Sequence, residues 1–435
     1  MPPATRGASD TQQSDALASP FPATATATGL GAADLRHRPG SRGLRRTQLA
    51  LFGAGLATFL LLYSTQAMLP ALSASLDLTP GQASLTVSAA AIGLALAVIP
   101  ISALSERYGR TAVMTASVFT AAALALVIPF APDLTVLTAL RALQGVALAG
   151  LPATAMAYLA EEVHPTALAS AMGLYVAGNS IGGMSGRLIS GTVAGAFGWR
   201  WGLASVAVLS VLCAVAFRVL IPRARHFHPG PVNPRALLRT VTGHLHNPLL
   251  ARLFALGLLF MTVFGAVYTV MGYRLVAAPF NLSQGLASSI FAVYIVGTFA
   301  SAVSARITGR FGRRGTLYLA IGTTSLGLLL TLPDSLPLAL LGLVLITAGF
   351  FTGHCVASAS VGRTATHGRA QASALYLAAY YLGNSLGGTV GADAYHSGGW
   401  SSTVLVGLTA MALAAAVTLY GTLRAHHAGV PQAAA

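Results

Sequence analysis

GNSIGG, residues 178–183, returns as GNSLGG, residues 383–388, after 205 positions. Each copy sits inside a long apolar stretch. A second phrase keeps almost the same spacing: ERYGR, residues 106–110, returns as GRFGR, residues 309–313, after 203 positions. Two different phrases repeating at one offset, close to half of 435 residues, mark a duplicated unit. Two similar apolar halves are the build of a carrier that rocks one half against the other.

Composition places that unit in lipid. Hydrophobic residues make up 55% and charged residues 8%, with a mean hydropathy of +0.71. A soluble domain carries about 25% charge, so this chain cannot cover a water-facing surface. All 25 basic residues are Arg, and the formal net charge is +15. That charge is distributed as a topology signal, so no nucleic-acid partner is expected. Cys213 and Cys355 both lie in apolar stretches, which points away from a disulfide or a metal site. No cofactor is expected. The first apolar segment starts near residue 48, too deep for a cleaved secretory signal.

Twelve apolar segments follow, at 48–69, 82–104, 112–130, 135–158, 168–191, 200–221, 249–271, 284–305, 315–332, 336–358, 371–394 and 401–423. Each is about 20 residues, the length a helix needs to cross the bilayer core. Backbone groups in lipid must be bonded within the segment, so these are helices. The expected fold is an all-α membrane protein of twelve transmembrane helices in two pseudo-symmetric six-helix bundles, residues 47–221 and 249–424. A cytoplasmic linker, 222–248, joins them. A disordered basic tail, 1–46, and a short tail, 425–435, flank them.

Arginine sets the orientation. With the N-terminus inside, the cytoplasmic segments carry twenty Arg, and the outside loops carry only Arg200 and Arg274. Arg141, Arg187 and Arg218 lie within spans. Both termini are therefore expected in the cytoplasm. The linker histidines (226, 228, 244 and 246) offer no helical i, i+4 pair, and read as solvated rather than metal-binding.

The turn after span 2 holds Glu106, Arg107, Gly109 and Arg110. Gly109 permits a tight reversal, and Glu106 can pair with an Arg or with the positive end of a facing helix. The stretch SALSERYGRT resembles the major facilitator superfamily signature G-x-x-x-D-R-x-G-R-R. Ser102 stands for the first Gly, Glu106 for Asp and Thr111 for the last Arg. The second copy keeps Arg310, Gly312 and Arg313 but has Gly309 at the acid position. The resemblance implies a cytoplasmic latch, with its carboxylate in the N-terminal copy alone. The plainer reading is that these Arg anchor helix ends to the inner leaflet.

Arg141 and Gln144 sit one turn apart in span 4. RALQG is similar to the R-x-x-Q-G signature of proton-driven members, which implies proton transfer or gating; the alternative is an Arg that snorkels to an interface. In span 5, Gly178, Gly182 and Gly186 follow one another at i, i+4 and i+8, a smooth face for close helix approach. With Gly183 they resemble the fifth-helix signature of antiporters, G-x-x-x-G-P-x-x-G-G, with Asn179 in place of Pro. Gly383, Asn384 and Gly387 repeat the pattern. For both Asn side chains, bonding between helices and contact with a substrate are the two readings.

Arg187 in span 5 and Asp393 in span 11 are costly in lipid and are expected to face the interior. Buried Arg141 and Arg187 would make the cavity positive, suited to a carboxylate, a phosphate or a polar sugar. Candidates for the coupling proton are His354, Asp393, Glu161 and Glu162. Tyr380, with Tyr376, Tyr381, Tyr63 and Tyr294, offers rings and hydroxyls either to a solute or to helix packing.

The resemblance covers about residues 47–424 and points to the drug:proton antiporter branch of the superfamily. It implies an inner-membrane secondary transporter exporting a small polar or anionic metabolite, sugar or drug by alternating access. Its partners would be a small-molecule substrate, protons and the bilayer, and it would work as a monomer. Proton-coupled uptake of an anion is the alternative. A membrane enzyme or sensor would need clustered catalytic residues or a soluble output domain, and the sequence offers neither.

Overall fold

The structure, a computed structural model, describes residues 36–227, 229 and 233–427. Most of the expected N-terminal tail, the last eight residues and His228 lie outside the described residues. Those described form helices and turns. The one isolated β-bridge joins His37 to Val163.

The helices are α1 (Arg42–Leu62), α2 (Leu69–Leu76), α3 (Pro80–Tyr108), α4 (Arg110–Val127), α5 (Leu134–Leu148), α6 (Gly150–Glu162), α7 (Pro165–Phe197), α8 (Trp199–Leu220), α9 (Pro234–His246), α10 (Pro248–Val276), α11 (Gln284–Ser288), α12 (Tyr294–Leu330), α13 (Leu336–Thr364) and α14 (Arg369–His427). Their starts are written in the sequence. Pro fills an early position of α3, α7, α9, α10 and α13, where no backbone donor is needed. Thr79 and Gln82 close a capping box at α3, and Asn247 accepts from Leu249 and Leu250 at α10.

Nine stretches of the described residues are long and apolar enough to cross a membrane. Two of them turn back on themselves. α12 breaks at Gly312 and α14 at Gly398–Gly399. α7 is 33 residues long, but its Gly, Ser, Asn and Arg keep it out of the nine. Taken together these make twelve membrane-length passes, in agreement with the expected helix count. Boundaries differ in places. α1 begins at Arg42, inside the expected tail, capped by Ser41. The expected linker contains the helix α9. Span 4 is α5 followed by α6, jointed at Ala149.

The duplication reappears as packing. Added Cβ atoms at Gly178, Gly182 and Gly186 of α7 would strike the backbone of Phe52, Leu56 and Leu60 in α1. At Gly383, Gly387 and Gly391 of α14 they would strike Leu258, Thr262 and Ala266 in α10. Lipid gives no hydrophobic drive for helix pairing, so such close backbone contact is what holds the passes together. The tight turns match as well: Gly109 has φ 97° and Gly312 has φ 69°, values that a side chain resists.

Passes alternate direction, which gives the bundle two ends. The end that carries α9 is the linker end. The other, carrying α2 and α11, is the far end.

Candidate functional site

The two six-helix halves touch at the far end. Among the described residues, every hydrogen bond between them lies there or in the upper part of the seam below it. Gln66 Nε2 donates to Thr269 Oγ1 at 3.1 Å, and the Ser73 and Tyr273 hydroxyls are 2.7 Å apart. Tyr273 also donates to the Leu69 carbonyl, and Gln284 donates to that of Ala67. Ser88 of α3 meets Thr389 of α14 at 2.9 Å. In a membrane such bonds contribute about 0.6 kcal/mol each, so the closure is strong enough to persist and weak enough to reverse.

Arg187 sits directly beneath this closure and is 1% exposed. Its Nε donates to Gln66 Oε1 at 2.7 Å, and its Nη1 to the Gly183 carbonyl at 2.6 Å. The guanidinium lies 4.0 Å from the ring centre of Tyr63 in its own half. In the other half it lies 4.6 Å from Tyr294 and 5.1 Å from Phe291. Ring faces attract a cation through their quadrupole. Among the described residues, no carboxylate pairs with Arg187 and Nη2 makes no hydrogen bond. Here the charge is held by rings and dipoles alone.

Arg141 is equally buried but fully engaged. Its Nε donates to the Thr86 carbonyl at 3.0 Å, and Nη1 and Nη2 to those of Leu61 and Leu62 at 2.8 and 2.6 Å. Nη1 also meets Gln144 Oε1, while Gln144 donates on to the Ala121 carbonyl. The R-x-x-Q pair therefore ties α5 to α4, α3 and the C-terminal end of α1. The negative end of the α1 dipole balances the charge. This Arg does not snorkel. A related case is Arg274, expected in a loop; it lies in the last turn of α10, is buried, and donates to the Thr331 and Pro333 carbonyls.

Below Arg187 the C-terminal half presents a wall of rings. Phe264 stacks on Phe350 at 4.0 Å, and Phe350 lies parallel to His354 at 5.9 Å. Tyr380 meets His354 at 4.9 Å. The Tyr376 hydroxyl and His354 Nδ1 are hydrogen-bonded at 2.9 Å; the other ring nitrogen makes no bond among the described residues. Tyr294, Phe351, His354 and Tyr380 are only half-buried, so they form the surface of this wall. Of the tyrosines marked in the sequence, Tyr63 and Tyr294 lie against Arg187, Tyr376 and Tyr380 against His354, and Tyr381 against Tyr380. Phe264, Phe350 and Phe351 join them unanticipated, because Phe in an apolar segment carries no signal of its own.

The linker end is organised within each half. Arg110 bonds Glu161 at 3.1 Å and the Ser105 hydroxyl at 2.5 Å. Glu106 is half-buried and Arg107 exposed, and neither forms an ion pair among the described residues. Arg310 is exposed beside Phe311, and Arg313 is half-buried. Glu162, 1% exposed, accepts from the backbone N–H groups of Arg225 and His226 and pairs with the His226 ring at 3.2 Å. Its backbone carbonyl accepts from His37. Burial pushes the His37 imidazole below its ordinary value; the Glu162 carboxylate opposes the shift, while Arg225 and His226 add to it. In the C-terminal half, His244 bonds the Gly368 carbonyl at 3.1 Å and stacks on His367.

Asp393 corrects an expectation. It is exposed, not interior, and its carboxylate lies over Gly81 at the N-terminus of α3. A helix start is positive, so the acid has a favourable place there. The two repeated asparagines make no bond between helices among the described hydrogen bonds. Asn179 Oδ1 packs over Gly55, and Asn384 Nδ2 is buried without a partner. No three His, Cys, Asp or Glu of the described residues converge as a metal site would require.

The family model of the Major Facilitator Superfamily matches residues 49–280 and 253–435. The chain is 38% identical to the MFS-type transporter YybF of Bacillus subtilis over 386 residues, 89% of this chain and 95% of the relative. It is 39% identical to the inner membrane transport protein YnfM of Escherichia coli, covering 83% and 87%. In fold it is similar to a bacterial homolog of the human lysosomal transporter Spinster in an inward-facing, unoccupied conformation. The TM-score is 0.72 and the identity 17%, over 87% of this chain and 97% of that one. The nucleoside transporter NupG matches with a TM-score of 0.69 at 14% identity, over 86% of this chain and 98% of that one.

Proposed function

The chain belongs to the major facilitator superfamily, and from that premise we propose that it is a proton-coupled antiporter exporting a small anionic metabolite by alternating access. It is a secondary transporter of small molecules, held in the membrane by its apolar helices, and not an enzyme. The observation that carries the finer reading is Arg187, a buried cation at the meeting of the two halves with no carboxylate partner among the described residues. An unpaired buried charge is expensive, and a transported anion supplies the missing partner.

The arginine distribution supports a cytoplasmic linker end and cytoplasmic termini. On that assignment the closed far end faces outward, and the conformation is inward-facing. A solute enters from the cytoplasm, the far-end contacts part, and the linker end closes behind it. Glu106, without an ion pair among the described residues, then finds the facing half, with Arg107, Arg110, Arg310 and Arg313 around it as the latch. Gly109 and Gly312 hold the two turns. His354 carries the coupling proton, since imidazole is the side chain whose ordinary range lies nearest neutral pH and this one stands in the ring wall. Arg141 and Gln144 hold α1, α3 and α5 as one body while this happens. The protein works as a monomer in the inner membrane.

Everted membrane vesicles with an imposed pH gradient test the proposal. Efflux substrates enter everted vesicles when protons flow out of the lumen, and Arg187→Gln removes that uptake. Accumulation in right-side-out vesicles instead would establish the opposite direction, proton-coupled uptake. Gradient-driven movement unchanged in Arg187→Gln would refute the anion reading.

A further inference from the structure

Deepening the proposed export of an anion, and resting on it, we infer that the solute is an aromatic carboxylic acid, its carboxylate on Arg187 and its ring against Tyr294, Phe351, His354 and Tyr380. The head group follows from charge. Arg187 has one terminal nitrogen, Nη2, without a hydrogen bond among the described residues, and the hydroxyl of Tyr294, whose ring centre is 4.6 Å from the guanidinium, is buried without a partner among them. A guanidinium nitrogen and a phenol are both donors, which a carboxylate accepts from. Arg141 adds no second anion site, because its three nitrogens are spent on carbonyls and Gln144. One available cation matches one negative charge. The same cation repels positively charged drugs.

The body follows from the wall. Its half-buried surface is four rings, whose polar atoms are the Tyr294 and Tyr380 hydroxyls and the second His354 nitrogen. A sugar carries hydroxyls all round its ring and needs a partner for each to replace its lost water, and three atoms on one wall leave most of them unmet. Flat aromatic faces favour another flat ring in a stacked or edge-on arrangement over a saturated body of the same size. The parallel Phe350–His354 pair, at 5.9 Å and 10°, shows a geometry that a bound ring continues. The ring wall belongs to the C-terminal half and Arg187 to the N-terminal half. A molecule with both features therefore touches both bodies, as a solute must if it is to bias their rocking.

The test uses the purified full-length protein in lipid nanodiscs, with binding followed by calorimetry. The probes are benzoate, cyclohexanecarboxylate, benzamide and butyrate. Benzoate is expected to bind about fivefold tighter than cyclohexanecarboxylate, the size of an aromatic-pair gain. It should bind at least about tenfold tighter than benzamide, the size of a charge-assisted bond. Arg187→Gln should erase the acid-over-amide preference and leave the ring preference, and Phe351→Leu should do the reverse. Equal binding of cyclohexanecarboxylate overturns the ring assignment, and equal binding of benzamide overturns the carboxylate. Should a variant fail to fold, the four probes on the unaltered protein still decide. No benzoate binding, in a protein whose vesicles still export another solute, overturns this inference and leaves the export reading standing. Benzoate binding without gradient-driven export does the opposite.

Discussion

α7 and the first pass of α14 carry the same phrase and pack by the same glycines, yet they bury different chemistry. The residue 205 positions after Arg187 is Ala392, fully buried. The acid of the second copy comes one residue later, at Asp393, which corresponds to Leu188. One residue turns a helix by about 100°. That turn takes Asp393 off the interior face and puts it over the start of α3, while Arg187 points into the ring cage. Duplication preserved the seam, where any Cβ collides with backbone. It left the charged positions free to diverge, and the N-terminal half took the cation while the C-terminal half took the rings.

The seam is where the two helices should behave alike. Gly182→Leu and Gly387→Leu each push a side chain into a facing carbonyl, an overpacking beyond about 3 kcal/mol. Both are expected to leave no monodisperse protein on size exclusion, whereas Gly173→Leu, with open space around it, runs as the parent does. Tolerance of either seam substitution would break the equivalence. The charged position is where they should differ. Arg187→Ala is expected to fold and to lose at least about tenfold in transport, the size of one charge-assisted hydrogen bond. Ala392→Arg would bury a second cation against packed backbone and should fail to assemble.

The turns at the linker end sharpen the contrast further. The N-terminal half is clasped by Glu162, His226 and His37, and the C-terminal half by His244, His367 and Gly368. His37 is held below its ordinary 6.5. Between that lowered value and 6.5 the unfolded chain binds the proton and the folded one does not. His37 therefore leaves stability intact above 6.5 and takes it away as the pH falls through this window. The melting temperature should drop on acidification there, and by less in His37→Leu. Asp393→Asn should have the smallest effect, about 0.3–1 kcal/mol for a carboxylate at a helix start, read as a slight fall in melting temperature with transport nearly unchanged. A large transport defect in that variant would return Asp393 to the cavity.

Much of this was legible in the chain because it depends on spacing. The passes follow from the length of the apolar segments, and nine membrane-length stretches, two of them turning back, together with α7, agree with twelve; the glycine faces and the Arg141–Gln144 pair follow from helical period. The glycines of the two tight turns, Gly109 and Gly312, were legible from the repeated phrase, since positive φ favours Gly. What lay beyond the sequence depends on rotation and on partners distant in the chain. Asp393 looked equivalent to Arg187 because an offset of one residue is small in a string and large on a helix. Arg274 looked like a loop residue because α10 continues past its apolar core. The ring wall was only half visible. Its tyrosines stood out, but Phe264, Phe350 and Phe351 are indistinguishable from ordinary lipid-facing residues until the fold brings them against Tyr294 and His354.

The central claim is that the far-end contacts between the halves must part in every cycle. Ser88 and Thr389 face each other there at 2.9 Å, close enough for a disulfide when both are replaced by Cys. In a background with Cys213→Ala and Cys355→Ala, oxidation of Ser88→Cys/Thr389→Cys should stop gradient-driven transport, and dithiothreitol should restore it. Undiminished transport with the cross-link verified by mass spectrometry would contradict the account.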